Sequence, residues 1–129
     1  MKKMIFPITT EFELKLPYYI VGVGCSYNQE HINRPNGYPY YQWIQCHSGS
    51  GKLILDNTTY TIAENQGMLL FPKVPHEYYA LSDSWKVDWA IFQGLYINDF
   101  FARTAEIKQS GVYFIYQPPY NSFQDCRGL

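Results

Sequence analysis

Charge is scarce in this chain of 129 residues: Asp, Glu, Lys and Arg together make up 16% and the formal net charge is -1. A segment without a broad basic field cannot hold a phosphate backbone, which excludes nucleic acid as its direct partner. Long apolar runs are missing too, so no stretch is suited to spanning a bilayer. The opening Met1-Lys2-Lys3-Met4-Ile5-Phe6 has the charged start of a signal peptide, but Pro7, Thr9, Thr10 and Glu11 end its apolar part too early. Cysteine is limited to Cys25, Cys46 and Cys126, with no pair at the close spacing of a zinc knuckle or redox dithiol. Buried free thiols in a reducing cytoplasm are therefore expected, in a soluble protein with no membrane contact.

What is present is a hydrophobic fraction of 47%, enough for one domain with a single core and too little chain for two. Aromatic residues reach 19%, with 13 tyrosines. A Tyr or Trp sets a large apolar body beside a polar tip, which suits sheet surfaces and small-molecule pockets alike.

Taken in order, residues 1–17 show no clear period and contain Pro7 and Pro17, which predicts an extended, movable arm. Tyr18 to Gly24 reads as a first strand, followed by a polar loop from Asn28 to Pro39 that carries His31, Arg34, Pro35 and Gly37. Tyr41 to His47 alternates, with Tyr41, Trp43, Gln45 and His47 on one face and Gln42, Ile44 and Cys46 on the other. A face mixing Trp43 and Gln45 suits a wet or ligand-lined cavity, and equally an edge strand with a solvated side.

Ser48-Gly49-Ser50-Gly51 lacks the Lys-Ser/Thr and helix of a phosphate cradle and reads as a turn. Gly51 to Ile62 reads as a hairpin turning at Asp56-Asn57-Thr58. Met68 to Phe71 is an apolar strand stopped by Pro72. After His76 to Ala80 and a turn at Ser82-Asp83-Ser84, Trp85, Val87, Trp89 and Ile91 share one face opposite Lys86, Asp88, Ala90 and Phe92. A helix capped by Asn98 or Asp99 runs to about Lys108, a last strand covers Val112 to Tyr116, and 118–129 starts a linker or dimerisation helix that is cut short. The expectation is an all-β domain over 18–117, a double-sheet jelly roll with one short C-terminal helix and room inside for one small ligand.

Four motifs in sequence, Arg34-Pro35-x-Gly37, Ser48-Gly49-x-Gly51, Gly67-x-Leu69-Leu70-Phe71-Pro72-x-x-Pro75-His76-x-Tyr78 and Trp85-x-x-x-Trp89-x-x-Phe92, resemble the N-terminal sensor domain of AraC-type bacterial transcription regulators. The resemblance is close over about residues 30 to 95 and rests on the joint spacing. It implies a cupin-like jelly roll that binds an effector, commonly a sugar, dimerises, and reaches DNA only through a C-terminal helix-turn-helix domain that these residues lack. By the same resemblance Arg34 is a sugar-binding arginine, Tyr78 a pocket tyrosine and Trp89 the indole on which a sugar ring stacks; apart from the resemblance, Trp43 and Gln45 are candidates for replacement contacts and His76 is a further candidate. The chain departs from the family's arabinose sensor at Val87, where that sensor has a pocket histidine.

A metal is not expected, nor any other cofactor. His76 is where a cupin enzyme would place a ligand, but His47 has no histidine two residues away, and Glu64 and Glu77 stand at the wrong spacing. The alternative function is therefore a small metal-dependent cupin enzyme, an isomerase or oxygenase, resting on His47 and His76 alone.

Overall fold

The computed structural model describes residues 3–8, 10–103 and 109–114. Their elements are β1 (Lys3–Ile5), a helical turn α1 (Glu11–Leu14), β2 (Tyr19–Asn28), β3 (Ile32–Arg34), β4 (Tyr41–Ser48), β5 (Gly51–Leu55), β6 (Thr58–Ile62), β7 (Gln66–Leu70), β8 (His76–Ala80), β9 (Lys86–Gln93), α2 (Ile97–Arg103) and β10 (Gly111–Phe114). The strands form two antiparallel sheets, one ordered β1-β2-β9-β4-β7-β10 and the other β3-β8-β5-β6. The architecture is mainly β, as the turn-punctuated alternation predicts.

The local chemistry explains the joints. The β5–β6 hairpin closes Leu55 onto Thr58, leaving Asp56 and Asn57 as a two-residue turn with φ of 46° and 64°. Asp and Asn tolerate that left-handed backbone, which matches the twist of the flanking strands. Gly49 turns β4 into β5 at φ 82°, and a Cβ there would lie 2.1 Å from the Ser84 carbonyl oxygen.

The dry core lies between the sheets. Leu53, Ile62, Met68 and Val87 are wholly buried there, beside Ile44, Cys46, Leu70, Tyr78 and Trp85. Val87, at the position where a sugar sensor's histidine is expected, belongs to this packed region. A second cluster of Tyr41, Leu69, Ile97 and Phe101 lies on the opposite face of the larger sheet, with Trp43 packed against it. There the Tyr41 hydroxyl donates to Asn98 Oδ1 at the start of α2.

Four expectations need correction. The stretch Asn28 to Pro39 is more than loop, because β3 pairs antiparallel with β8, setting Arg34 opposite His76 and Ile32 opposite Tyr78. Three residues with two polar side chains carry too little pattern to announce a strand, and the ladder to β8 holds it. The arm is not free along its length: Met4 pairs with Gly24 in β1, and Glu11 to Leu14 make a helical turn. An apolar segment beside an open sheet edge gains ladder bonds and burial at once. Cys46 is a free, buried thiol, but Cys25 is disulfide-bonded, since a bridge requires proximity in space and not a short sequence spacing. The helix α2 begins at Ile97, so Asn98 and Asp99 lie inside its first turn rather than ahead of it as caps, and Asp99 accepts from Arg103 Nε at 3.1 Å. Residues 104–108, and with them the expected end of that helix, lie outside the described residues, as do the expected strand end at 115–116 and the segment 118–129.

Candidate functional site

The register decides which side chains meet. Gln42 pairs with Ile91 and Leu70, and Ile44 with Trp89 and Met68. Paired residues in an antiparallel ladder share a face, so Gln42, Ile44, Trp89 and Ile91 all look toward the second sheet. From that sheet come Arg34 and Ile32 on β3 and Tyr78 on β8. Together these residues line a cavity of about 200 Å³ near the β1 edge of the larger sheet, with Tyr38 and Phe6 also in its wall.

Trp89 owes its place to Gly24 of the neighbouring strand, directly opposite it in the ladder. A Cβ on Gly24 would sit 2.2 Å from the indole ring. The indole is flanked by Phe6, at 5.7 Å between ring centroids, and by the edge of Tyr27, at 6.3 Å. Gly24→Ala is expected to displace the indole and to destabilise the domain by about 1–3 kcal/mol through overpacking. A shifted tryptophan emission maximum together with a lower urea midpoint checks this.

The polar end is built on Arg34. Its Nη1 donates to Gln42 Oε1 at 3.3 Å, to His76 Nε2 at 3.1 Å and to the Tyr78 hydroxyl oxygen at 3.3 Å. The guanidinium carbon stands 4.6 Å from the centroid of the Tyr38 ring, a cation–π contact that fixes its plane. His76 donates from Nδ1 to the Val74 carbonyl at 3.0 Å, which leaves Nε2 as the acceptor that Arg34 requires. Burial, aided by the Arg34 charge and opposed by the Val74 bond, lowers the imidazole pKa from 6.5 to about 4. Burial also pushes the Tyr78 phenol up, against the pull of Arg34, so it stays protonated. At the rim, Tyr27 bonds the Glu30 side chain, which together with burial raises the Tyr27 pKa.

The His76 shift has a consequence for stability. With a folded pKa of about 4 below an unfolded value of 6.5, the unfolded chain binds a proton that the folded one refuses between those values. The contribution of neutral His76 is therefore complete above about pH 6.5 and is lost as pH falls toward 4, by roughly 2–3 kcal/mol. Urea midpoints at pH 7 and pH 4.5 are expected to show that drop in the wild type and a smaller one in His76→Gln.

Of the six residues singled out from sequence, Arg34, Tyr78 and Trp89 line one cavity, and His76 stands behind Arg34 as its acceptor. Trp43 and Gln45 do not join them. They lie on the opposite face of β4, where Trp43 covers Gly67 and its indole N–H points at Gln45 Oε1, 3.5 Å away. From Tyr41 to Cys46 both faces of β4 are largely covered, one by the second sheet and the other in part by the α2 cluster, and only His47 near its end is exposed, so the alternation does little to betray its parity. The residues that sequence reasoning missed are Gln42, Tyr38 and Phe6. Gln42 was signalled by its partners Ile44 and Cys46, and the other two carry no distinguishing pattern.

The two histidines behind the enzyme alternative stand apart. His47 is on the outer face of β4, 3.2 Å from Asp88 Oδ2, while His76 is buried in the other sheet. Asp88 is itself buried and accepts the Ser26 N–H at 2.9 Å, fixing a bulge in β2. Among the described residues no group of three or more His, Cys, Asp or Glu side chains is placed to hold a metal ion. No helix in them is long and apolar enough to cross a membrane.

The family pattern described as the AraC-like ligand binding domain matches residues 17–126. Among solved structures, ToxT K231A from Vibrio cholerae is similar at 18% identity and a TM-score of 0.55, over 81% of this chain and 44% of that one. A cupin 2 conserved barrel domain protein from Salinispora arenicola is similar at 16% identity and a TM-score of 0.51, over 78% of this chain and 81% of that one. The chain thus spans under half the length of ToxT, and at such identities the likeness is one of fold. No curated protein sequence matches closely enough to count as a relative.

Proposed function

This chain belongs to the AraC-like ligand-binding domains, and on that premise we propose that it is the effector-sensing and dimerising part of a cytoplasmic transcription regulator, taking a small carbohydrate-like molecule into the cavity between its sheets. The supporting observation is the pairing of Trp89 and Arg34 in the wall of one cavity. An indole face suits the carbon side of a sugar ring, and a guanidinium fork suits its oxygens. The volume of about 200 Å³ is below the roughly 300–1,000 Å³ of drug-sized sites, which favours a small ligand.

Met4 and Phe6 of the arm belong to the cavity wall, so an occupant would touch the arm as well as the sheets. Ligand would act by population shift, favouring whichever arm or dimer arrangement it contacts more, and DNA-binding helix-turn-helix units outside these residues would follow. An enzymatic role finds less support, because the His76 lone pair is already given to Arg34 and His47 faces away from the cavity.

The test is a titration with monosaccharides and related acids, read by tryptophan fluorescence. ToxT is seen with an unsaturated fatty acid bound, so the set includes an alkyl acid. Saturable binding of a saccharide that is lost in Trp89→Ala supports the proposal. Binding of no saccharide or sugar acid, or stoichiometric iron, zinc or manganese in the purified protein, would defeat it.

A further inference from the structure

The hydrogen-bond valences at the deep end of the cavity restrict its ligand further than shape does. Arg34 engages three protein acceptors through Nη1. Each of these bonds fixes what the acceptor can still offer. Gln42 gives its carbonyl oxygen to Arg34, which turns its amide N–H groups away as free donors. The Tyr78 oxygen accepts from Arg34, which leaves its own proton to donate. His76 uses both ring nitrogens, one on Val74 and one on Arg34, and offers nothing more. Arg34 Nη2 and Nε make no hydrogen bond to a described residue.

The deep end is therefore rich in donors around a fixed positive charge, and the oxygens of Gln42 and Tyr78 there already face the Arg34 cation. Acceptors are found instead at the rim, where Glu30 and Gln29 line the opening. The Gln29 amide nitrogen donates to the Glu30 carbonyl at 2.9 Å, which leaves its side-chain oxygen to accept. A sugar hydroxyl is donor and acceptor at once, and at the deep end its proton would meet only oxygens already drawn on by Arg34. A carboxylate has only lone pairs and suits a cationic cluster of donors, while ring hydroxyls can turn their protons to Glu30 and Gln29.

We propose that the effector carries a carboxylate bound between Arg34, the Tyr78 hydroxyl and the Gln42 amide. Resting on the carbohydrate reading above, this selects the sugar acids as the ligand class.

The experiment is calorimetric titration of the wild-type chain at pH 7 and low salt with D-galacturonate against D-galactose, D-glucuronate against D-glucose, and hexanoate. At least one acid is expected to bind about ten- to a hundredfold more tightly than its neutral partner, as a charge-assisted pair should. In Arg34→Gln, which keeps a donor but loses the charge, that preference should fall below about threefold. A neutral sugar binding as tightly as its acid would overturn the carboxylate while leaving the sensor reading intact. Hexanoate binding as tightly as either uronate would support the carboxylate and defeat the carbohydrate. Binding of none of the five overturns both.

Discussion

Trp85→Ala is expected to cost about 3–5 kcal/mol of folding stability, the usual range for deleting a buried indole. Trp85 is 2% exposed and meets the Tyr78 ring edge-on at 6.3 Å between centroids. Its ring lies over Gly51, where a Cβ would be 2.4 Å away, so the neighbouring strand has no side chain to fall into the space. Its backbone is held as well, since the Trp85 carbonyl accepts the Gln29 N–H at 2.9 Å. Relaxation is thus restricted from both sides, and a large cavity term should persist. Domains of this size have a total stability of about 5–15 kcal/mol, so the variant is left close to its unfolding threshold. Urea denaturation reads the effect as a midpoint shift at unchanged slope.

Arg34→Leu is the second large effect, and it acts on two observables. Removing the guanidinium strips Gln42, His76 and Tyr78 of a common donor; all three are buried. Gln42 and Tyr78 can redirect their own protons, but the His76 acceptor has no such freedom while Nδ1 is bound to Val74. Stability should fall by about 1–3 kcal/mol, the cost of an unmet buried polar group. Affinity for the effector should fall further, by about thirtyfold or more, as when one partner of a desolvated charge pair is deleted. Arg34→Lys separates charge from geometry. It keeps the cation and loses the planar fork, so it should recover only part of the affinity.

These two variants divide the molecule largely in the way its sequence did. The parity of β9 was legible because Trp85, Val87, Trp89 and Ile91 form an unbroken apolar series against Lys86 and Asp88. That series placed Trp89 on the inner side, and the turn residues Asp56 and Asn57 placed the hairpin. The parity of β4 was not legible, because Gln42 and Gln45 are both buried on opposite faces of a sheet covered on both sides. A pattern argument needs one wet face, and β4 has one only at His47, near its end. The short β3 was hidden for a different reason: its three residues are held by their partner strand rather than by their own propensity.

The packing of the three tryptophans was out of reach as well. Each rests on a glycine of an adjoining segment: Trp89 on Gly24, Trp85 on Gly51 and Trp43 on Gly67. Gly51 and Gly67 read as turn glycines from sequence, since a turn is the commoner reason for a glycine near a strand. Their role against an indole depends on ladder register, which single-strand patterns do not contain.

The same three indoles give the most direct test of where the ligand sits. Nitrogen-15 labelling of tryptophan yields one indole N–H signal each from Trp43, Trp85 and Trp89, assignable by single Trp→Phe variants. Trp89 borders the cavity, Trp85 lies in the dry core and Trp43 is on the far face of the larger sheet. Titration with the uronate or hexose that binds is expected to move the Trp89 signal strongly while the Trp43 signal stays in place. A saturating ligand that shifts Trp43 and leaves Trp89 unmoved would contradict the assignment of this cavity as the effector site.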